Sequence, residues 1–375
     1  YSNAVAGKYG YVSLTTRFGN VCMPEMEVVD IAELKRKKLM NGPFSPVLLR
    51  EIRQALERKE QVILFQNRRG FAPVVECHVC GWTPQCPHCD VSLTFHKRSN
   101  SLTCHYCGFS TSVAQRCPQC DADRLSSKGY GTERIEDVLA SIFPDARVAR
   151  MDLDTTRSRS AYEGIIKGFQ RGDTDILIGT QMVTKGLDFR RVSVVGILNA
   201  STMLNQPDFR SYERAYQMMT QVAGRAGRSS AGNGQNVRPG RVILQVHDAK
   251  QPTVMQVVRG DFEGMFRTQM EERRLFMYPP LCRLVYVYIK HKDEIVLEHL
   301  AEELAALLRQ VFGHRVLGPD MPPIARVQTM YIRKVCLKLE LTANMAEARR
   351  RLHEIQKYMT SKPEYKSAVM YYDVD

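Results

Sequence analysis

Four Cys-x-x-Cys pairs lie close together in this chain and constrain its fold more than any other feature. Each pair is followed by Gly or Asp, residues that tolerate a tight turn. They contain eight of the eleven cysteines: Cys77 and Cys80, Cys86 and Cys89, Cys104 and Cys107, Cys117 and Cys120. Two cysteines at this spacing can present both sulfurs to one ion about 2.3 Å away, and two such turns complete a tetrahedron. Eight cysteines therefore predict two zinc ions in closed, structural sites that leave no ligand position for water.

The spacing leaves open which pairs share an ion. In a nested arrangement the outer pairs hold the first zinc and the inner pairs hold the second. The first zinc would bind Cys77, Cys80, Cys117 and Cys120, and the second would bind Cys86, Cys89, Cys104 and Cys107. In a serial arrangement the first two pairs would share one ion, with five residues between them. Hairpin geometry favours nesting, although the loop-closure entropies differ little.

Two other roles for these cysteines deserve comparison with zinc binding. Disulfide bonds are disfavoured in a reducing compartment, and the chain starts without a signal-peptide pattern. An iron–sulfur cluster usually needs four cysteines at a different spacing. His78, His88 and His105 lie inside the pairs but are spare, because the thiolates already satisfy two ions.

The overall charge favours a polyanionic partner such as nucleic acid. Lys and Arg outnumber Asp and Glu by 53 to 40, which gives a formal net charge of +13. Two zinc sites of net charge −2 each would lower this to +9, so an excess of positive charge remains. A merely basic enzyme is the alternative interpretation.

The cysteine-rich region also carries aromatic and basic residues that suit base stacking and phosphate contact. These residues are Trp82, Phe95, His96, Lys97, Arg98, Tyr106 and Phe109. The opposing interpretation is that the aromatic residues form the core of a small metal-held module. The sequence leaves both interpretations open.

No segment is apolar for long enough to predict a membrane span. The longest apolar runs, Val192 to Leu198 and Val242 to Val246, are far shorter than the roughly 20 residues required. We therefore expect a cytoplasmic protein.

Short β-branched runs alternate with helical segments on both sides of the cysteine-rich region. Ser45 and Pro46 indicate the start of a helix. Further helices are expected at about Glu133 to Ile142 and Ala161 to Arg171. The predicted strands are Tyr11 to Thr16, Gln61 to Phe65, Arg147 to Asp152, Asp175 to Thr180, Val192 to Leu198 and Arg241 to Val246. This alternation predicts an α/β fold with a parallel sheet covered on both faces.

The last third of the chain has a different pattern. Its elements follow the order β-α-β-β-α-β between Arg283 and Val374, with helices at Glu294 to Phe312 and Met345 to Thr360. This order predicts a small α+β domain of the ferredoxin-like type.

Two segments of the α/β part could contact a nucleotide. In ILIGTQMVTKGLDF, Ile176 to Phe189, a buried strand runs into a loop whose backbone can approach phosphates. Farther along, Gln221, Arg225 and Arg228 are spaced i, i+4 and i+7 and share one face if the segment is helical. Two guanidinium groups on one face suit the charge that develops on a γ-phosphate, which is the arginine-finger role.

These segments resemble motifs of a known enzyme class. TQMVTKGLDF resembles motif V, and QVAGRAGR resembles motif VI, of the superfamily 2 helicases. The wider pattern resembles the family of bacterial primosomal replication-restart helicases over nearly the whole chain. It comprises NRRGFAP at Asn67, the four cysteine pairs, GTERIEDVL at Gly131, PDFRSYERAYQ at Pro207 and YIRKVCLKLE at Tyr331.

The resemblance implies a RecA-like second helicase lobe with an inserted double zinc module. The implied domains are a linker and the end of the first lobe at 1–45, the second lobe at 46–76 and 125–250, the zinc module at 77–124 and the C-terminal α+β domain at 251–375. Carried onto this sequence, motif V corresponds to Gly179, Thr180, Gln181, Lys185, Gly186 and Asp188. Motif VI corresponds to Gln221, Gly224, Arg225, Gly227 and Arg228.

The implied activity is that of a 3′-to-5′ DNA-translocating ATPase. Such an enzyme recognises abandoned replication forks and restarts replication by primosome assembly. The implied partners are forked or single-stranded DNA, primosome proteins and single-strand-binding proteins.

The nucleotide-binding motifs of the first lobe do not occur in the sequence. No G-x-x-x-x-G-K-[ST] pattern is present, since Gly7 and Lys8 are followed by Tyr9, and no acidic box for magnesium is found. We therefore expect this chain to be a C-terminal fragment. ATP and magnesium would be cofactors of the intact enzyme only. A non-enzymatic, zinc-dependent DNA-binding or scaffold protein is the alternative, and an RNA helicase is a second one.

Overall fold

The fold is described from a computed structural model of the chain. It covers all residues except 14–21, 68–73, 78–81, 97–99, 105, 124, 129–131, 153–154, 157, 185–188, 206–207 and 228–237. The chain divides into two compact units, which are described separately. Unit 1 comprises 1–72 and 129–269, and unit 2 comprises 73–128 and 270–375.

The described residues form sixteen strands and eleven α-helices. The strands are β1 (Glu25–Asp30), β2 (Gln61–Phe65), β3 (Val74–Cys77), β4 (Thr94–His96), β5 (Ser101–Thr103), β6 (Ser110–Ser112), β7 (Leu125–Lys128), β8 (Val148–Met151), β9 (Ile176–Gly179), β10 (Val192–Ile197), β11 (Arg241–Val246), β12 (Cys282–His291), β13 (Val316–Asp320), β14 (Arg326–Val327), β15 (Met330–Glu340) and β16 (Val369–Val374). The helices are α1 (Ser2–Val5), α2 (Ile31–Arg36), α3 (Pro46–Glu57), α4 (Thr132–Ile142), α5 (Arg159–Arg171), α6 (Ser201–Leu204), α7 (Ser211–Ala223), α8 (Pro252–Arg259), α9 (Phe262–Phe276), α10 (Glu294–Phe312) and α11 (Met345–Ser361). None of the helices in the described ranges is long and apolar enough to cross a membrane.

Unit 1 is built around a six-stranded parallel sheet in the order β1-β11-β10-β2-β9-β8. Successive residues of β2 point to opposite faces, so Val62 and Leu64 enter one apolar core while Ile63 and Phe65 enter the other. Helices α3 and α4 contribute to the first core, and α5, α7 and α8 contribute to the second. The predicted α/β fold with a sheet covered on both faces is therefore confirmed.

Helix α3 begins where the sequence predicted. The Ser45 Oγ accepts a hydrogen bond from the Leu48 N–H at 3.2 Å, and Pro46 occupies the first helical position. This arrangement satisfies one of the backbone donors that a helix leaves unpaired at its start.

The edge strand β1 differs from the sequence prediction. We predicted a strand at Tyr11 to Thr16, but 10–13 have no regular structure and the remainder lies outside the described residues. The observed strand runs instead from Glu25 to Asp30 and pairs with β11 in parallel. Its acidic residues depart from the apolar, β-branched pattern by which strands are predicted from sequence. They are accommodated because the Arg241 guanidinium contacts the carboxylates of Glu25 at 2.6 Å and Glu27 at 2.7 Å.

The C-terminal part of unit 2 has the predicted ferredoxin-like order of elements. Its strands form an antiparallel sheet in the order β13-β15-β12-β16, and the short strand β14 pairs with β15 as a hairpin. Helices α10 and α11 contribute apolar side chains to one core with this sheet.

The cysteine-rich module also belongs to unit 2, although in sequence it lies between β2 and α4 of unit 1. Strands β3 and β7 pair and bring the two ends of the module together, and β4, β5 and β6 form a second small sheet. The predicted domain boundaries stay predictions, and the first 45 residues include one strand of the main sheet.

Candidate metal centres and motor site

The inner cysteine pairs form a compact group of four thiols. The Sγ atoms of Cys86, Cys89, Cys104 and Cys107 all lie within 4.8 Å of one another. The Cys86 and Cys107 sulfurs are 3.6 Å apart, much farther than the roughly 2.05 Å of a disulfide bond. Four sulfurs about 2.3 Å from one zinc ion would lie roughly 3.8 Å apart, so this group fits zinc. We name it the inner site.

The outer pairs form a second group. The Sγ atoms of Cys77, Cys117 and Cys120 lie within 4.8 Å of one another, and those of Cys77 and Cys120 are 3.6 Å apart. The predicted fourth ligand, Cys80, lies outside the described residues. We name this group the outer site. The thiols of the described cysteines are therefore grouped in the nested arrangement, with the outer pairs together and the inner pairs together.

Tight turns carry the last two cysteine pairs, each at the Gly or Asp that follows the pair. Gly108 follows Cys107 with φ +77°, and Asp121 follows Cys120 with φ +55°. The Gly108 N–H donates to the Cys104 carbonyl oxygen at 2.9 Å. Both residues thus adopt the left-handed backbone that Gly accepts freely and Asp tolerates.

The environment of the inner thiols shifts the pKa of three of them. Burial raises the pKa of the Cys89 thiol to about 12, and burial also raises the pKa of the Cys86 thiol. Burial acts in the same direction on Cys104, but the backbone N–H groups of Cys107 and Tyr106 donate to its sulfur, and the net result is a lowered pKa. Four adjacent thiolates repel one another, and a bound divalent cation compensates this repulsion.

The module's aromatic residues divide between its core and its surface. Phe95 and Phe109 pack against the buried cluster around the inner cysteines, and the His88 ring meets the Phe109 ring edge-on at 5.5 Å. Tyr106 is exposed. Lys97 and Arg98 lie outside the described residues. Part of the aromatic set therefore serves as core, as the opposing interpretation proposed.

The segment resembling motif V begins at the end of β9. The Gly179 carbonyl oxygen accepts from the Gln66 N–H at 2.9 Å, and Thr180 is buried. The chain then turns through a 3₁₀ helix at Gln181–Thr184. A Cβ on Gly179 would lie 2.0 Å from the Val183 Cγ1, so this turn requires glycine for internal packing as well as for any phosphate approach. Lys185, Gly186 and Asp188 lie outside the described residues.

The segment resembling motif VI is helical only in part. Helix α7 ends at Ala223, and Gly224 caps it. Gln221 is exposed on the last turn of the helix, whereas Arg225 lies beyond the helix and is mostly buried. The condition for a shared helical face of Gln221, Arg225 and Arg228 is therefore not met at Arg225, because the chain tightens there. The Arg225 N–H donates to the Val222 carbonyl oxygen three residues back, at 3.0 Å.

The structure explains why position 227 in this segment is a glycine. Its φ is +68°, and a Cβ there would lie 2.6 Å from the backbone N of Gly240, just before β11. Glycine at this position allows a neighbouring segment of the same unit to approach the backbone closely. Arg228 lies outside the described residues.

The two segments meet at the carboxyl edge of the parallel sheet. Helix α7 packs against the 3₁₀ turn that follows Thr180. Asn67 follows β2 and Asn199 follows β10 at the same edge, and within the described part of the chain the Oδ1 atoms of both are buried without a hydrogen-bond partner. Ligands of open parallel sheets bind at this edge. Neither asparagine was assigned a role from the sequence, although each lies two positions beyond the end of a buried strand, which was the available signal.

A further bond holds the neighbouring strand at this edge. The Thr132 Oγ1 donates to the Asp152 Oδ2 at 2.5 Å and thereby joins the start of α4 to the end of β8. Thr132 belongs to the GTERIEDVL segment that contributed to the family resemblance.

Family models match three regions of the chain. The model described as PriA DNA helicase Cys-rich region (CRR) domain matches 86–111, and the helicase conserved C-terminal domain matches 130–230. The primosomal protein N C-terminal domain matches 274–375. These regions correspond to the inner site, the parallel-sheet unit and the ferredoxin-like part.

Curated relatives match most of this chain. The replication restart protein PriA of Bacillus subtilis is 38% identical over 94% of this chain and 43% of its own length. That of Haemophilus influenzae is 36% identical over 88% of this chain and 44% of its own length. The chain therefore spans less than half of either relative.

Solved structures give a weaker likeness. The structure of S. cerevisiae Dbp5 bound to RNA and ADP BeF3 aligns with 72% of this chain and 52% of that chain, at 14% identity and a TM-score of 0.32. A likeness this slight carries no conclusion.

Proposed function

Because this chain belongs to the family of PriA replication restart proteins, we propose that it is the C-terminal half of an ATP-dependent 3′-to-5′ DNA helicase. The intact enzyme would recognise stalled or abandoned replication forks and restart replication by primosome assembly. One observation carries the proposal. Two nested thiol groups lie in one module, which in sequence is inserted between a strand and a helix of the unit with the parallel sheet.

Two zinc ions would have a structural role in this protein. The outer ion would bind Cys77, Cys80, Cys117 and Cys120, and the inner ion would bind Cys86, Cys89, Cys104 and Cys107. Zinc supplies a closed tetrahedral link between segments that share few apolar contacts. The buried cluster of the module supports this role, because half of its buried members are inner cysteines.

The motor residues would act on a nucleotide bound to another lobe. Gln221, Arg225 and Arg228, with motif V at Gly179, Thr180, Gln181, Lys185, Gly186 and Asp188, would face that lobe's ATP and magnesium. The guanidinium groups would stabilise charge that develops on the transferred phosphoryl group. The carboxyl-edge position of Thr180 and the packing of α7 against the adjoining turn support this role.

The proposed partners are forked or single-stranded DNA, primosome proteins and single-strand-binding proteins, in the cytoplasm. The basic composition supports a nucleic-acid partner. The Tyr106 ring, exposed beside the inner site, is available for base stacking.

Unwinding assays on the intact enzyme test the proposal. A protein that joins this chain to its ATP-binding lobe should unwind forked DNA with a 3′ loading strand and leave RNA duplexes of the same sequence paired. Preferential RNA unwinding would favour the RNA helicase. ATP-independent DNA binding without unwinding would favour the scaffold protein.

A further inference from the structure

The turn between β14 and β15 has an unusual backbone. Strand β14 pairs with β15 through Arg326 opposite Tyr331 and Val327 opposite Met330, so two residues connect the strands. These residues are Gln328 with φ +51° and Thr329 with φ +66°. Two consecutive left-handed residues make a type I′ turn, which normally selects Asn-Gly. Left-handed backbone is rare for a β-branched residue such as Thr, and residues held this way cluster at functional sites.

This turn directs its backbone donors at the inner site. The Gln328 N–H donates to the Cys89 Sγ at 3.3 Å, across 239 positions of sequence. The Thr329 N–H donates to the His88 carbonyl oxygen at 2.8 Å. A nearby comparison is the His88 N–H, which donates to the Cys86 Sγ at 3.4 Å from within the same turn. Cys89 thus receives from the C-terminal part a bond of the kind that Cys86 receives locally.

A second set of contacts holds the turn in place. The Arg326 Nε donates to the Asp90 Oδ1 at 3.0 Å, and the Asp90 N–H donates to the Arg326 carbonyl oxygen at 3.0 Å. The Arg326 guanidinium also lies over the Tyr331 ring, 5.7 Å from its centroid. Val327 packs against the buried cluster that contains the inner cysteines. We call Arg326 to Tyr331 the docking hairpin.

We propose that the docking hairpin is a positioning element of the inner zinc site, so that zinc binding and attachment of the module to the C-terminal part stabilise each other. The inference rests on the proposed zinc at this site. A backbone N–H that donates to a ligating thiolate takes up part of its charge and orients the sulfur. The coupling is reciprocal, because two linked binding equilibria change each other by the same factor.

The coupling has a functional consequence within unit 2. While zinc occupies the inner site, the module and the ferredoxin-like part behave as one body joined through the hairpin. Loss of that ion, or a ligand that displaces the hairpin, separates them. The inner site therefore joins two parts of the chain, whereas the outer site closes the ends of the module through β3 and β7.

The first test varies one position in the full 375-residue chain. Gln328→Pro removes the N–H and cannot adopt the left-handed φ, whereas Gln328→Gly keeps the N–H and relieves the φ. In competition titrations with a zinc chelator, Gln328→Pro should hold one of two zinc ions about 10- to 100-fold less tightly. Gln328→Gly should match the unaltered chain. Equal zinc retention in all three proteins overturns the inference.

The second test uses charge. Arg326→Asp should weaken retention of the same ion, and combining it with Asp90→Arg should restore retention, because the swap rebuilds the ion pair. Arg315→Asp is the matched control, since the Arg315 guanidinium pairs with Glu340 inside the ferredoxin-like part at 2.8 Å. It should leave both ions in place. Loss of zinc from the control equal to that from Arg326→Asp contradicts the inference.

The third test measures amide hydrogen exchange in the docking hairpin rather than zinc content. Amide hydrogen exchange at 328 and 329 should be slow in the zinc-loaded chain and should accelerate at least tenfold in Cys86→Ser or after chelation. Cys117→Ser, at the outer site, should leave it slow. If the chain holds two zinc ions and this exchange is indifferent to Cys86→Ser, the hairpin inference fails while the zinc sites stand. A chain that holds no zinc contradicts the proposed sites themselves.

Discussion

At the scale of single residues, Cys77 and Cys86 illustrate how position in a small module decides which ion a thiol can reach. Cys77 ends β3 and lies with Cys117 and Cys120, whereas Cys86 lies with the other inner cysteines. Neither set contains a histidine or carboxylate among its described members. Each serine substitution should therefore affect one site and spare the other.

Zinc content is the first prediction. The unaltered chain should contain two zinc ions by elemental analysis, because eight thiolates suffice for two closed four-ligand sites. Cys86→Ser or Cys89→Ser should empty the inner site, and Cys77→Ser or Cys120→Ser should empty the outer one. A measured stoichiometry of one zinc ion per chain would contradict the two-site proposal. Loss of the same ion from Cys77→Ser and Cys86→Ser would refute nesting alone.

Arg228 carries the second prediction. This chain alone should not hydrolyse ATP, since phosphate binding and magnesium chelation need Walker residues that its sequence lacks. In a protein that includes the ATP-binding lobe, Arg228→Ala should lower DNA-stimulated ATP turnover by about a thousandfold or more while DNA binding persists. Arg228→Lys should restore it only in part, because lysine lacks the planar fork.

A control separates this effect from general damage. Arg159 lies on the exposed surface of α5, where its guanidinium pairs with Glu163 at 2.9 Å. Arg159→Ala should turn over ATP at close to the unaltered rate. Turnover by Arg228→Ala near that rate, on DNA-saturated enzyme, would show that Arg228 is not catalytic.

At the scale of elements, the turn after α7 and the residue before β11 approach so closely that neither Gly227 nor Gly240 can carry a side chain. A Cβ on Gly240 would lie 2.4 Å from the Gly227 N and 2.6 Å from the Ala226 carbonyl carbon. Both contacts are with backbone, which cannot rotate away. Gly227, in the segment that resembles motif VI, is therefore held by packing within the same unit.

Gly240→Ala is the third prediction. Overpacking of this kind typically costs about 1–3 kcal/mol, so the thermal unfolding temperature should fall. The matched change is Gly164→Ala in α5, where a Cβ meets nothing within 4 Å. It should stabilise by about 0.5–1 kcal/mol, because alanine is the better helix former. Equal unfolding temperatures for the two variants by calorimetry would disprove the close-approach argument.

At the scale of the whole molecule, the net positive charge is expected to favour DNA binding and to make it depend on salt. The chain carries a formal net charge of +13 before any zinc is bound. Contacts between lysine or arginine and phosphates release counterions, which makes binding weaken as salt rises. This property belongs to the chain as a whole, because it sums over many basic side chains.

Salt-dependent binding is the fourth prediction. The affinity for single-stranded or forked DNA should fall between 50 and 200 mM salt, with about 0.7–0.9 units of log–log slope for each phosphate contact. Fluorescence anisotropy at several salt concentrations measures the slope. Lys97→Ala with Arg98→Ala should reduce it by up to about two units if both residues touch phosphate. An affinity that is flat across this range would rule out phosphate-dominated binding.

Much of the fold could be read from local sequence because local chemistry decides it. Cysteine spacing sets which pairs can form a metal-binding turn, and the short run Gln61 to Phe65, rich in β-branched and aromatic residues, favours a buried strand. Ser45 followed by Pro46 specifies a helix start through its own side-chain oxygen and ring. Each of these outcomes depends on residues a few positions apart.

Only the tertiary structure decided the contacts that join distant segments. Glu25–Asp30 is a strand because it pairs along its whole length with β11, far along the chain, where Arg241 also contacts two of its carboxylates. Helix α7 stops before Arg225, and Gly227 beyond it lies against Gly240, an approach that the helical spacing of the motif could not reveal. The bond from Gln328 to Cys89 spans 239 positions and leaves no periodic or compositional trace, since a backbone N–H is common to every residue except proline.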